Sequence, residues 1–118
     1  WRHRLKRSRN PGTSEVPPVQ TQAYGTGVVD IAADRSVTVT LSVVGMAATA
    51  AHIHEGAAGT NGPVIVPLNR ISENAFVAPD NAKLTETQYT AYKAGNLYVN
   101  VHSERYPGGE VRAQIVGR

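Results

Sequence analysis

The sequence predicts an all-β domain, an antiparallel Greek-key β-sandwich or barrel with one short helix. Three observations carry that expectation. The run "SVTVTLSVVG" (36–45) alternates Val37, Val39, Leu41 and Val43 with Thr38, Thr40 and Ser42. A period of two marks a strand with one face buried and one in water. Further short apolar runs are punctuated by Gly- and Pro-containing turns, and only one stretch carries the chemistry of a helix start.

Taken in order, "GTGVVDIAA" (25–33) and "SVTVTLSVVG" (36–45) flank the dipeptide Asp34-Arg35, a hairpin connection. "TAAHIH" (49–54) is the next strand, followed by the loop "EGAAGTNGP" (55–63) and the strand "VIVPL" (64–68). In "LTETQYTAYKAG", Thr85 is the N-cap and Gln88, three residues on, completes a capping box. Leu84 before the cap can staple onto Tyr89, and Gly95 supplies the stop. Tyr89 and Tyr92 share a helix face and are read as sealing the helix onto the sheet. "NLYVNVH" (96–102) and "EVRAQIVG" (110–117) close the chain, joined by "SERYPGG" with its Pro107-Gly108-Gly109 turn.

A chain of 118 residues supports one core, so a single domain is expected over 15–118, preceded by a flexible basic arm at 1–14. The net charge of +3 is unevenly placed: Arg2, Arg4, Lys6, Arg7 and Arg9 all precede Glu15, the first acidic residue. From Asn10 onward seven bases face nine acids, so the body is slightly acidic. A nucleic-acid domain would carry its positive charge on the folded surface, and none is expected to bind here. The arm reads as a disordered tail or an anionic-surface anchor. Its opening Trp1-Arg2-His3 would form a square-planar nitrogen site for Cu(II) or Ni(II) if Trp1 carried a free amine. The absence of cysteine excludes disulfides, thiolate metal sites and cysteine nucleophiles. No apolar run approaches the roughly 20 residues needed to span a bilayer, so no transmembrane segment is expected.

The chemistry concentrates on histidine. In a strand, residues i and i+2 stand on one face roughly 6.5 to 7 Å apart, so His52 and His54 form a pair while Ala51 and Ile53 face the other way. In "NLYVNVH", Leu97, Val99 and Val101 form the apolar face, which leaves Tyr98, Asn100 and His102 outward. In "EVRAQIV", Val111, Ala113 and Ile115 face inward, so Glu110, Arg112 and Gln114 face outward. His52, His54 and His102 therefore share an outward orientation and are the candidate metal ligands. Three imidazoles suit Cu, Zn, Ni or Fe and leave a coordination position open. Glu55, Asn100, Glu104 and Glu110 are candidates to accept a ring N–H behind the metal and fix the tautomer. The alternative on spacing alone is three ordinary surface histidines bonded to loops.

Four blocks give the chain a family likeness: "EVPP" (15–18), "GTG" (25–27), "AHIHEGAAGTNGPVIVPL" (51–68) and "LYVNVHSERYPGGEVRAQI" (97–115). In these it resembles a CHRD domain, the module first described in chordin and found widely in bacterial secreted proteins. That resemblance implies an extracellular or periplasmic location and allows a non-catalytic role in binding an extracellular protein partner. "AHIHEG" is also similar to the H-x-H strand of copper/zinc superoxide dismutases, and "NVH" to a later strand of theirs that ends in a further copper ligand. This second likeness implies a superoxide-dismutase-like sandwich, with an immunoglobulin-like one as the other form. It implies a copper-only site at His52, His54 and His102, with superoxide as a small anionic substrate and Arg112 steering it. The chain departs from those enzymes in lacking a zinc cluster, a metal-bridging histidine and a cysteine pair.

Two other readings stay open. Arg112 also reads as a surface ion pair with Glu110 or Glu104. The same three histidines would serve a hydrolytic zinc site if Glu55 or Glu104 acted as general base.

Overall fold

The computed structural model describes residues 2–5 and 23–115, and the account below is of those residues. Nine strands form two antiparallel sheets. The first sheet contains β1 (Arg2–Leu5), β2 (Tyr24–Ile31), β3 (Val37–Val44), β6 (Asn69–Ser72) and β7 (Ala75–Val77), in the order β1-β2-β3-β7-β6. The second contains β4 (Ala48–Glu55), β5 (Val64–Pro67), β8 (Leu97–Ser103) and β9 (Val111–Ile115), in the order β5-β4-β8-β9. Chain neighbours β3 and β4, β5 and β6, and β7 and β8 lie in different sheets, so successive hairpins build two layers rather than one long meander. The all-β sandwich expected from the alternation is present.

The alternation of β3 is realised residue by residue: Val37, Val39, Leu41 and Val43 are buried, and the residues between them are exposed. They meet Ala51 and Ile53 of β4 and Leu97, Val99 and Val101 of β8 in one core. Each fully buried side chain of this size contributes about 1.5–3 kcal/mol relative to exposure, which is what holds the layers together. Gly27 is required where β2 crosses β3, because a Cβ there would overlap the Thr40 carbonyl.

The helix α1 (Glu86–Lys93) connects β7 to β8 across one end of the sandwich. Thr85 Oγ1 accepts from the Gln88 N–H, and the Gln88 side chain accepts from the Thr85 N–H, so the capping box is complete. At the other end the Gly95 and Asn96 N–H groups bond back to the Tyr92 and Ala91 carbonyls, with Gly95 at φ +81°. That double closure is a Schellman stop, which needs the left-handed conformation glycine adopts freely. Leu84 and Tyr92 are buried and Tyr89 packs against the core, so the two tyrosines do seal the helix down.

Two differences from the expectation stand out. Arg2–Leu5, placed in a flexible arm, pairs with β2 through Arg2↔Asp30 to Leu5↔Gly27. The edge of β2 otherwise presents unpaired backbone groups, and an extended segment of any composition can satisfy them. The rest of that arm, the Trp1 amine needed for a terminal copper site and the "EVPP" block lie outside the described residues. The β6–β7 hairpin was not predicted, because four- and three-residue strands are too short to display a period.

Candidate metal centre

His52 and His54 project from β4, and the register with β8 sets their neighbours: His54 is opposite Tyr98, His52 opposite Asn100, and Ala50 opposite His102. His102 is thus the diagonal neighbour of His52, within reach of a long side chain on the same face. Ring centroids are 4.8 Å apart for His52–His102, 5.6 Å for His52–His54 and 6.0 Å for His54–His102. One nitrogen from each ring falls in a group whose members all lie within 4.8 Å of one another. The outward orientation read from the alternation therefore brings the three histidines together.

The rings are held by main-chain carbonyls. His54 Nδ1 donates to Gly62 O at 2.9 Å, and His102 Nδ1 donates to Pro107 O at 2.9 Å. A carbonyl only accepts, so both Nδ1 atoms carry the proton and both Nε2 atoms keep a lone pair when the rings are neutral. His52 Nδ1 lies 3.0 Å from His102 Nε2. His54 Nε2 is buried with no hydrogen-bond partner. A buried imidazole nitrogen left unpartnered costs about 1–3 kcal/mol unless something binds it. The nitrogens left for an ion are therefore His54 Nε2 and His102 Nε2, with His52 Nδ1 beside the latter.

These residues fit a metal ion. Two nitrogens each about 2.0–2.1 Å from one ion stand about 3.0 Å apart when the angle between them is near 95°, the observed His52–His102 spacing. The three nitrogens all lie within 4.8 Å of one another, and an inward shift of the rings would bring them to the bond length of about 2.0–2.1 Å from one ion. Burial pushes the His52 and His54 imidazoliums below the ordinary value. His102 and then His54 add to the effect at His52. At His54 the Gly62 carbonyl opposes it, while His102 and Arg112 reinforce it. Both rings are thus kept in the neutral form that binds metal.

The side chains expected behind the rings have these positions and partners. Asn100 is buried and donates to Val111 O, and buried Glu110 accepts from Ser103 Oγ at 2.6 Å. Glu55 is half-buried at the end of β4 and Glu104 is exposed. The His54 and His102 ring N–H groups go to the carbonyls of two turns, Gly62-Pro63 and Pro107-Gly108, whose dipeptides are visible in the sequence only as turn signals.

Arg112 is 4% exposed and so is not at the surface, where an ion pair was anticipated for it. Its Nη1 donates to Thr60 O at 2.6 Å and its Nη2 to Ala57 O at 3.1 Å, while the guanidinium carbon sits 3.5 Å from the centroid of Tyr98. The outward face of β8 and β9 is roofed by the loop after β4, and Arg112 lies beneath the roof. Tyr98, which the sequence reading did not single out, stacks on His54 with centroids 4.8 Å apart and an interplanar angle of 4°.

A two-layer antiparallel sandwich with a three-histidine group at one sheet face defines the class. Within it the chain belongs to the CHRD domain family, whose model matches residues 10–115. No curated protein and no solved structure matches it significantly. No helix among the described residues is long and apolar enough to cross a membrane.

Proposed function

We propose that this CHRD domain binds one copper ion through His52 Nδ1, His54 Nε2 and His102 Nε2, and uses it in one-electron chemistry on superoxide outside the cytoplasm, in an extracellular or periplasmic setting. The observation that carries the copper site is the convergence of three imidazoles, two of which keep lone pairs at His54 Nε2 and His102 Nε2 because Gly62 O and Pro107 O hold their other protons, with His54 Nε2 buried without a partner. An all-imidazole set lies within the ligand preference of copper, and Cu(II) stands highest in affinity among the divalent first-row metals.

Held by His52, His54 and His102, copper would supply a one-electron couple for converting two superoxide anions and two protons into dioxygen and hydrogen peroxide. The protein's part is structural and electrostatic. Three neutral ligands leave a position open to a small anion. Half-buried His52 and His102 keep one side of the site accessible, while buried His54 anchors the other.

Titration of the purified domain with Cu(II) and with Zn(II) tests the site. The expectation is one copper per chain at micromolar affinity or better, with zinc weaker. Failure of both ions to bind at that level would overturn the proposal and leave a recognition domain. Superoxide consumption by the copper-loaded protein above that of free copper tests the activity separately. Copper binding without it would reduce the function to copper storage or delivery.

A further inference from the structure

We propose that Arg112 and Tyr98 are positioning residues for His54, fixing its ring so that Nε2 faces His52 and His102, and that Arg112 acts there through Tyr98 and the loop roof rather than by gripping a substrate anion. The role of the fixed ring rests on the copper site proposed above, whereas the fixing itself belongs equally to the ion-free protein.

The argument begins with strand order. β8 lies between β4 and β9, so His54 and Arg112 reach the Tyr98 ring from opposite sides. The result is a three-member stack of guanidinium, phenol and imidazole, at 3.5 Å and 4.8 Å from the central ring. A cation over one face and a parallel ring on the other hold the phenol in a single orientation. Arg112 is itself held by the Ala57 and Thr60 carbonyls, a fork geometry that lysine cannot reproduce.

The same contacts tie down the loop that bonds His54. The Gly62 N–H donates to Tyr98 Oη at 2.9 Å, while the Gly62 carbonyl accepts from His54 Nδ1. Gln114 Nε2 adds bonds to the Gly56 and Gly95 carbonyls at 2.9 and 2.8 Å. His54 is therefore gripped twice, by ring stacking and by a carbonyl, and both grips lead back to Arg112. A steering residue needs its N–H groups open to solvent. Arg112 has both Nη atoms on loop carbonyls and is 4% exposed.

The test compares wild type with Arg112→Lys, which keeps the charge and loses the fork, and with Tyr98→Phe, which keeps the stack and loses the hydroxyl. In the ion-free proteins, long-range nitrogen–proton NMR of the histidines reads the tautomer. Wild type is expected to show His54 as a slowly exchanging Nδ1–H form. Arg112→Lys should convert it to a mixture, with the folded circular dichroism spectrum kept, and Tyr98→Phe should speed exchange of that proton. Copper affinity should fall in Arg112→Lys by about 10–100-fold, as expected when the support of a ligand is lost. A wild-type His54 tautomer and exchange rate in Arg112→Lys would overturn the proposal. Should Arg112→Lys fail to fold, Tyr98→Phe decides, and unchanged exchange of the His54 proton there would overturn it equally. If wild type binds no copper, the copper-site reading fails while the tautomer measurement still judges the positioning.

Discussion

His52 Nδ1 lies 3.0 Å from His102 Nε2, although the two residues are 50 positions apart in the chain. Because His102 Nδ1 donates to Pro107 O, neutral His102 offers only a lone pair at Nε2, and His52 must donate from Nδ1 in the ion-free protein. An ion held by both nitrogens would require the single ring proton of neutral His52 to move from Nδ1 to Nε2. The contact is a hydrogen bond in the ion-free protein and, under the proposed function, would become a pair of ligand positions.

His102→Ala removes one of the three proposed ligands and leaves the H-x-H strand intact. His102 is half-buried and its loss opens no core cavity, so the fold is expected to persist with little change in melting temperature. Copper affinity should fall by more than the roughly 10–100-fold typical of losing a supporting partner. A calorimetric titration checks this, and wild-type affinity in the variant would remove His102 from the site.

Gly62→Ala tests the loop roof. A Cβ at this position would overlap the Glu55 carbonyl, so the loop must shift and carry the His54 acceptor with it. The expected loss is about 2–3 kcal/mol of stability, in the range for overpacking a close contact. Urea unfolding measures it. A wild-type midpoint would mean that the loop adjusts without strain.

The depressed titration of His52 and His54 gives a sign to the pH dependence. Burial is the main cause in both rings. In the unfolded chain each returns to about 6.5. Below that value the unfolded state takes up protons that these folded rings still refuse, so their contribution to stability is full above about pH 6.5 and is lost as pH falls toward the folded values. The ion-free protein should therefore melt lower at about pH 5 than at about pH 7.5, and His54→Gln should flatten the dependence. Parallel slopes in the two proteins would contradict this.

The sequence exposes which face of each strand a residue takes, and that sufficed for the histidines and for the β3 core. Alternation does not reveal what covers a face. Arg112, Glu110 and Asn100 occupy the outward positions read for them, yet all three are buried. The loops after β4 and β8 fold back over that side of the sheet, a tertiary event with no periodic trace. Tyr98 was equally visible as an outward residue of "NLYVNVH", but its role depends on a register, His54 opposite Tyr98, that no single strand encodes. The helix was legible in full because capping is local chemistry: Thr85, Gln88 and Gly95 each act on residues within one turn.

Electron paramagnetic resonance of the protein loaded with one equivalent of Cu(II), recorded for wild type and for His52→Ala, His54→Ala and His102→Ala, tests the central claim most directly. The account predicts nitrogen couplings from three imidazoles in wild type, with one lost in each variant. A wild-type spectrum without three nitrogens, or one that any of the three substitutions leaves unchanged, would contradict it.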